Sequence, residues 1–470
     1  MKTKVKPVTK ALPDIKLAPS VVNPAWLKGI KFLSGPYFRL AMSCTGMELL
    51  NPEPMVKALK SAMDGKSRLI LAFRHPYGEE PQFLSYLFLK LMAKEFKKLD
   101  LELPGQPWLR FIHGYEVPRW GGALIRAVLP RMGALPVHHS KMDRVGLERI
   151  RSSLMNGPWP VALAPEGQVS YNARTLPRLE QGVVRLGLDA VKKLKEGGQA
   201  MGQALGQGLD IVLLPLSIRL RYSQKAQASL DKNLRLAERL LRLYAGGLQA
   251  GGLQAHNSGS GLAGRIIAIR DSSLELAEKF YGLKPGSNSV SARIESLVLG
   301  AINTAEQILG LPEGSGHDID RVYRIRQEGW DRIFVAGREE ILNSGLLAET
   351  LMNRKTGEAW YAMRHMEMAD LGWYYAKLDH EGFAEDGFES MVEYAQNVLD
   401  FCNRLLGGNF NSRVQIKPRF VQFLPALPIN LTEIEKGYDG DRKKSVAAAQ
   451  AVLESAFLES ASLLFPPKSI

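Results

Sequence analysis

The sequence predicts an α/β protein with a mainly parallel central sheet flanked by helices, and an additional, largely helical region in its C-terminal half. Two patterns predict the first part. Between about residues 65 and 222 the runs Arg68–Phe73 (RLILAF), Ala134–Val137 (ALPV), Val161–Ala164 (VALA) and Ile211–Leu216 (IVLLPL) are continuously apolar, as strands buried on both faces require. Segments of helical period separate them, over Glu80–Lys98, Trp120–Arg131, Arg144–Met155 and Leu179–Lys195. The third observation is the run of helical patterning from about 265 to 408, as in EAWYAMRHMEMADLGWYYAKL and FESMVEYAQNVLDFCNRLL.

The elements divide the chain in order. Residues 1–50 read as an N-terminal arm, loose and polar over 1–20. Within it, AWLKGIKFLSGPYFRLAM (25–42) interleaves Trp26, Leu27, Ile30, Phe32, Leu33, Tyr37 and Phe38 with Lys28, Lys31 and Arg39. That composition suits a bilayer interface, and equally packing against a core. Residues 51–224 form the α/β domain and 225–412 the helical region. Residues 413–470 return as extended segments near Arg413–Leu431, followed by an amphipathic helix over Ser445–Leu464. The tracts GGQAMGQALGQG (197–208) and GGLQAGGLQAHNSGSGLAG (246–264) have the composition of flexible loops.

Composition excludes several classes. At 470 residues, 45% hydrophobic and 23% charged, the chain is of globular type and long enough to bury a large core. The basic start MKTKVKPVTK is followed by no apolar h-region, and no apolar run reaches membrane-spanning length. A cytoplasmic protein with peripheral membrane contact is expected. Cys44 and Cys402 stand alone, so neither a disulfide framework nor a metal site is expected, and no cofactor is implied. A net charge of +13 favours anionic partners. Outside 25–42 no cluster of basic residues is interleaved with stacking aromatics, so the expected partner is an anionic membrane surface and not nucleic acid.

The chemistry concentrates at two strand ends. In RLILAFRHPYGEEP, His75 follows a buried strand, and Glu80 lies close enough in the chain for its acid to fold back onto one ring nitrogen. The other nitrogen then serves as a proton acceptor. In VALAPEGQVSYNARTLPRLEQG, a strand runs into a Pro-Glu-Gly turn in which Gly167 permits close backbone approach and turn amides suit an anionic group.

In order and spacing these segments resemble the glycerol-3-phosphate/1-acylglycerol-3-phosphate acyltransferase superfamily over about residues 60–222. Its N-H-x4-D motif is matched by Arg74-His75-Pro-Tyr-Gly-Glu-Glu80, and its G-x-I-x-x-x-R motif by Gly133-Ala-Leu-Pro-Val-His-His139. Its F-P-E-G-T-R-S motif is matched by Ala164-Pro165-Glu166-Gly167-Gln168-Val169-Ser170, and its proline-bearing strand by Leu214-Pro215-Leu216. Leu427-Pro428-Ile429 is similar to the strand region that closes many such domains, which implies that residues from about 225 to 412 are an insertion. The chain departs from the pattern at Glu80 for Asp, at Tyr77 for Ser, and at His139 and Val169 where the family has arginines for the acceptor phosphate.

The resemblance implies an O-acyltransferase that moves a fatty acyl group from acyl-CoA or acyl carrier protein to a hydroxyl of glycerol-3-phosphate, lysophosphatidate or a related lysolipid. His75 and Glu80 are its implied catalytic pair. Glu166, Gly167, Gln168, Ser170, His139 and Arg178 are the implied substrate contacts, and Lys141, Arg174 or Arg178 are basic residues able to substitute for the two missing arginines. The alternative reading is a catalytically silent lipid-binding scaffold on the same fold. Two other patterns are set aside. Gly259-Ser-Gly261-Leu-Ala-Gly264 precedes a strand-like RIIAI, the reverse of a dinucleotide fingerprint. His365 and Asp370 sit mid-helix on different faces, and Trp360, Trp373, Tyr374 and Tyr375 read as helix packing.

Overall fold

The apolar runs do lie in a sheet, and the central one, Ser67–Phe73, is buried along almost its whole length. The computed structural model describes residues 5–138, 143–157, 159–200, 209–244, 261–284, 289–314 and 316–466. The chain forms two compact units, one of Leu17–Arg221 with Phe420–Ile470, the other of Met1–Lys16 with Tyr222–Arg419. The strands in chain order are β1 (Leu12–Pro13), β2 (Cys44–Leu49), β3 (Ser67–Phe73), β4 (Arg110–Gly114) and β5 (Leu135–Val137). They continue as β6 (Val161–Leu163), β7 (Asp210–Arg221), β8 (Phe334–Val335), β9 (Arg419–Pro425) and β10 (Ile429–Asn430).

The first unit is α/β. Its eight-stranded sheet has the order β2-β9-β7-β3-β6-β4-β5, with β10 also paired to β7. The pairs β3–β7, β3–β6, β4–β6 and β4–β5 are parallel, whereas β7–β9 and β7–β10 are antiparallel. Parallel neighbours need helical crossovers, and helices Glu80–Tyr86, Gly122–Arg131, Arg144–Asn156 and Gly182–Ala200 lie in the connections between β3 and β7. Val183, Val184, Ile150, Leu154, Leu453 and Phe457 from three helices pack with Ile70, Ala72, Ile211 and Leu213 in one core. Alternation turns Leu69, Leu71 and Phe73 to the other face, and helix Glu53–Met63 also packs on β3.

The returning chain completes this sheet. Residues Phe420–Pro425 of β9 pair with Leu216–Arg221, and Ile429–Asn430 pair with Val212–Leu213. The Ala426 N–H donates to Pro215 O at 3.0 Å between the two pairings. Leu427-Pro428 thus sits in the link between strands on the edge of β7 that does not face β3. Helix Arg442–Leu464 then buries Val446, Ala449, Leu453, Phe457 and Leu464, the stripe its helical period specifies.

The second unit is helical, built on Gln227–Tyr244, Leu262–Tyr281, Val290–Leu309, Asp318–Ile333, Leu346–Tyr375 and Phe388–Leu405. The terminal arm is not loose here: β1 pairs with β8 in parallel, Ala11 is buried, and the Val5 N–H donates to Gly407 O at 3.1 Å. Helix Leu262–Tyr281 overturns the strand-like reading of RIIAI, because its apolar residues Ile266 and Ile269 are buried at helical spacing. Gly261 precedes this helix, while Gly259 lies outside the described residues. The glycine-rich tract at 197–208 begins inside helix Gly182–Ala200, and its remainder lies outside the described residues, as does most of 246–264. Among the described residues no helix is long and apolar enough to cross a membrane.

Candidate active site

β3 delivers its last residues to the carboxyl edge of the sheet. The Arg74 N–H still donates to Leu216 O at 3.0 Å, extending the ladder by one residue beyond Phe73. Pro76 has no N–H and disfavours helical backbone at the residue before it, so the chain turns out of the sheet at His75. Gly78 adopts a left-handed φ of 83°, and Glu80 opens the next helix. This short loop folds back on itself. Nδ1 of His75 lies 2.6 Å from Oε2 of Glu80, and Oε1 of Glu80 accepts the Tyr77 N–H at 2.5 Å. The Glu80 side chain is fully buried, whereas the His75 side chain keeps 20% of its surface exposed. The ring also meets Phe73 edge to face, with centroids 5.9 Å apart. The imidazole is therefore held at Nδ1 by a buried acid while part of its side chain stays exposed.

The turn after β6 meets this loop. Gly167 has φ 74°, and its N–H donates to Ala164 O at 3.2 Å, closing the Pro-Glu-Gly bend. Oε1 of Glu166 accepts the backbone N–H of His75 at 3.0 Å and also the guanidinium Nε of Arg74. The Ser170 N–H donates to His75 O at 3.0 Å, so both main-chain groups of His75 are bonded to the second turn. A Cβ on Gly78 would lie 3.5 Å from the Val169 side chain, which measures how closely the two turns approach. Arg74, buried like Glu166, donates to Asn172 O at 3.2 Å and Thr175 O at 2.9 Å, tying down the loop that follows. In that loop Tyr171 is left-handed, with φ 59°, and Asn172 Oδ1 accepts the Arg174 N–H at 2.7 Å.

The site residues expected from the sequence thus separate into groups. His75 and Glu80 are paired. Glu166, Gly167 and Ser170 come to the same edge, where they bond to Arg74, His75 and Ala164 of the protein itself. The amides of Gly167 and Ser170 donate to Ala164 O and His75 O. Gln168 is half-buried beside them, and Arg178 is exposed further along the loop. Arg174 stacks over the Phe465 ring at 4.9 Å, and Arg219 lies over the same ring at 4.7 Å. His139 and Lys141 lie outside the described residues.

A comparison with protein-family models returns no match, and a comparison with curated proteins returns none. The geometry therefore carries the functional reading.

Sequence reasoning missed three contributors. Arg74 is the hub of the arrangement, and a charge placed directly after the apolar run Leu69–Phe73 was the available sign that it needs a buried partner. Tyr77 is buried, and its hydroxyl accepts the Leu220 N–H at 3.0 Å, binding the loop to β7. Asn172 had no signal beyond its turn-forming type. Among the described residues no group of three or more His, Cys, Asp or Glu is placed to hold a metal ion. His365 and Asp370 do not pair with each other: His365 Nδ1 meets the Tyr281 hydroxyl at 2.8 Å, and Asp370 pairs with Arg326 at 3.2 Å. Burial holds the His365 imidazole down at about 4, as expected of a core histidine.

Proposed function

We propose that this chain is an O-acyltransferase, moving a fatty acyl group from an acyl thioester, acyl-CoA or acyl carrier protein, to a hydroxyl of glycerol-3-phosphate, lysophosphatidate or a related lysolipid. The observation that carries the reading is the 2.6 Å contact between the partly exposed His75 side chain and the buried Glu80 at the carboxyl edge of the sheet. Chemistry in open α/β sheets gathers at that edge.

With Nδ1 committed to Glu80, proton exchange with an acceptor falls to Nε2. The imidazole takes the proton of the acceptor hydroxyl as its oxygen attacks the thioester carbonyl. The tetrahedral intermediate collapses by breaking the C–S bond, and the imidazolium returns the proton to the departing thiolate. Glu80 holds the ring in the required tautomer and offsets the charge it transiently carries. No acyl-enzyme is needed, and the protein ends each cycle in the state in which it began. The basic surface suits either donor, because both are anionic.

The test is acyl transfer to a panel of lysolipid and glycerol-phosphate acceptors by the wild type and by His75→Ala. Product from the wild type and none from the variant supports the enzyme and names the acceptor. Background signal from both, with lipid still bound, would favour the silent lipid-binding scaffold.

A further inference from the structure

Helix Pro24–Pro36 and the π-helical turn Tyr37–Ala41 that continues it belong to the α/β unit. Leu27, Ser34 and Phe38 face the protein, and Phe38 packs on Phe83 and Tyr86 with ring centroids 6.3 and 4.9 Å apart. A helix lying on a protein surface should be polar on its other side. This one is not. Trp26 and Leu33 lie seven residues apart on the α-helix, which aligns them along one stripe, Phe32 stands beside it, and Leu40 is exposed on the π-helical turn that follows. Phe32, Leu33 and Leu40 are 79, 61 and 82% exposed.

Single exposed apolar residues are ordinary, but a stripe of them is not. The charges within this segment of the chain all have one sign. From Ile15 to Met47 the chain carries Lys16, Lys28, Lys31 and Arg39 and no Asp or Glu, and both Lys28 and Arg39 are exposed. Bulky aromatic and aliphatic tips fringed only by cations match an interface that is apolar beneath and anionic at its rim. A protein partner's interface core would be depleted in lysine and would bring acids of its own.

We propose that this helix docks on an anionic phospholipid bilayer, with Phe32, Leu33, Leu40 and Trp26 in the headgroup–acyl boundary and Lys28 and Arg39 on lipid phosphates. The position of the helix links docking to the site. Phe83 lies one turn after Glu80 in the same helix, so the Phe38–Leu40 end of the docking helix adjoins the edge of the sheet where His75 lies. Resting on the acyl-transfer reading, this brings the site close to the surface from which a lipid hydroxyl arrives.

The experiment is sedimentation of the full chain with vesicles of phosphatidylcholine alone or mixed with phosphatidylglycerol. The wild type is expected to pellet with the mixed vesicles, less so as salt rises. The variant F32E/L33E/L40E should lower the bound fraction by about tenfold, with an unchanged circular dichroism spectrum because these side chains are exposed. K28E/R39E should lose the preference for phosphatidylglycerol. Wild type remaining in the supernatant with both vesicle types would overturn the proposal, as would a triple variant that binds undiminished. So would a wild-type dimer that the triple substitution dissociates while neither form binds vesicles, which would assign the stripe to a second copy. His75→Ala separates the two readings: vesicle binding by that variant, with no acyl transfer from the wild type, would sink the enzymatic reading alone.

Discussion

The carboxylate of Glu166 accepts the backbone N–H of His75 at 3.0 Å while it pairs with Arg74, so the acid of the second turn positions the main chain that carries the base. Its side chain is fully buried, as is that of Arg74. Removing one member of such a pair leaves an uncompensated charge in the interior, at a cost of about 3–5 kcal/mol. Glu166→Gln is expected to lose stability on that scale in urea unfolding. A variant as stable as the wild type would show that Glu166 is not a structural keystone.

Glu80 holds two contacts with one carboxylate, His75 Nδ1 and the Tyr77 N–H. Glu80→Gln preserves the size of the side chain and removes the charge that would stabilise an imidazolium. Under the acyl-transfer reading kcat should fall by roughly 10²–10⁴, the range seen when the orienting acid of a histidine is neutralised. Folding, followed by circular dichroism, should persist. Full activity in this variant would remove Glu80 from the mechanism.

Tyr77→Phe keeps the ring and deletes the acceptor for the Leu220 N–H inside the protein. An amide buried without its partner costs about 1–3 kcal/mol. The expected result is a lower midpoint in thermal unfolding with an unchanged slope in denaturant. An unchanged midpoint would mean that the hydroxyl contributes nothing to anchoring the loop.

Burial holds His365 and His380 at about 4, below the ordinary value of 6.5. A histidine depressed in the folded state takes up its proton first in the unfolded state. Stability is therefore fully retained above pH 6.5 and declines as the pH falls towards 4, by about 3 kcal/mol for each such group at the full extent of the shift. Urea titrations across that range should show the decline, and His365→Gln should make it shallower by about one proton's slope. An identical pH dependence in this variant would show that His365 does not titrate as described.

Some of this was legible from local pattern, and the α/β class was among it. The run Arg68–Phe73, apolar from Leu69 on, specifies a doubly buried strand, and a histidine and an acid within one short loop can meet without help from the rest of the chain. The strands Cys44–Leu49 and Arg110–Gly114 were not visible, because their residues mix polar and apolar types that do not form a buried run. Nor was the continuation of helix through RIIAI, where a short apolar run fits either period.

What the chain determined by itself is where the strand before His75 ends and which groups stand within a few residues of one another, since propensity and spacing act over that range. β7, by contrast, runs on to Arg221, past the apolar run Ile211–Leu216. Tertiary structure alone decided that Arg74 meets Glu166 across 92 positions, and that Tyr77 reaches Leu220 across 143. It also decided that β9 returns to the free edge of β7, and that one side of helix Pro24–Pro36 stays uncovered. Each of these depends on the order in which strands assemble, and that order follows from the combined burial of many side chains, which no local window contains.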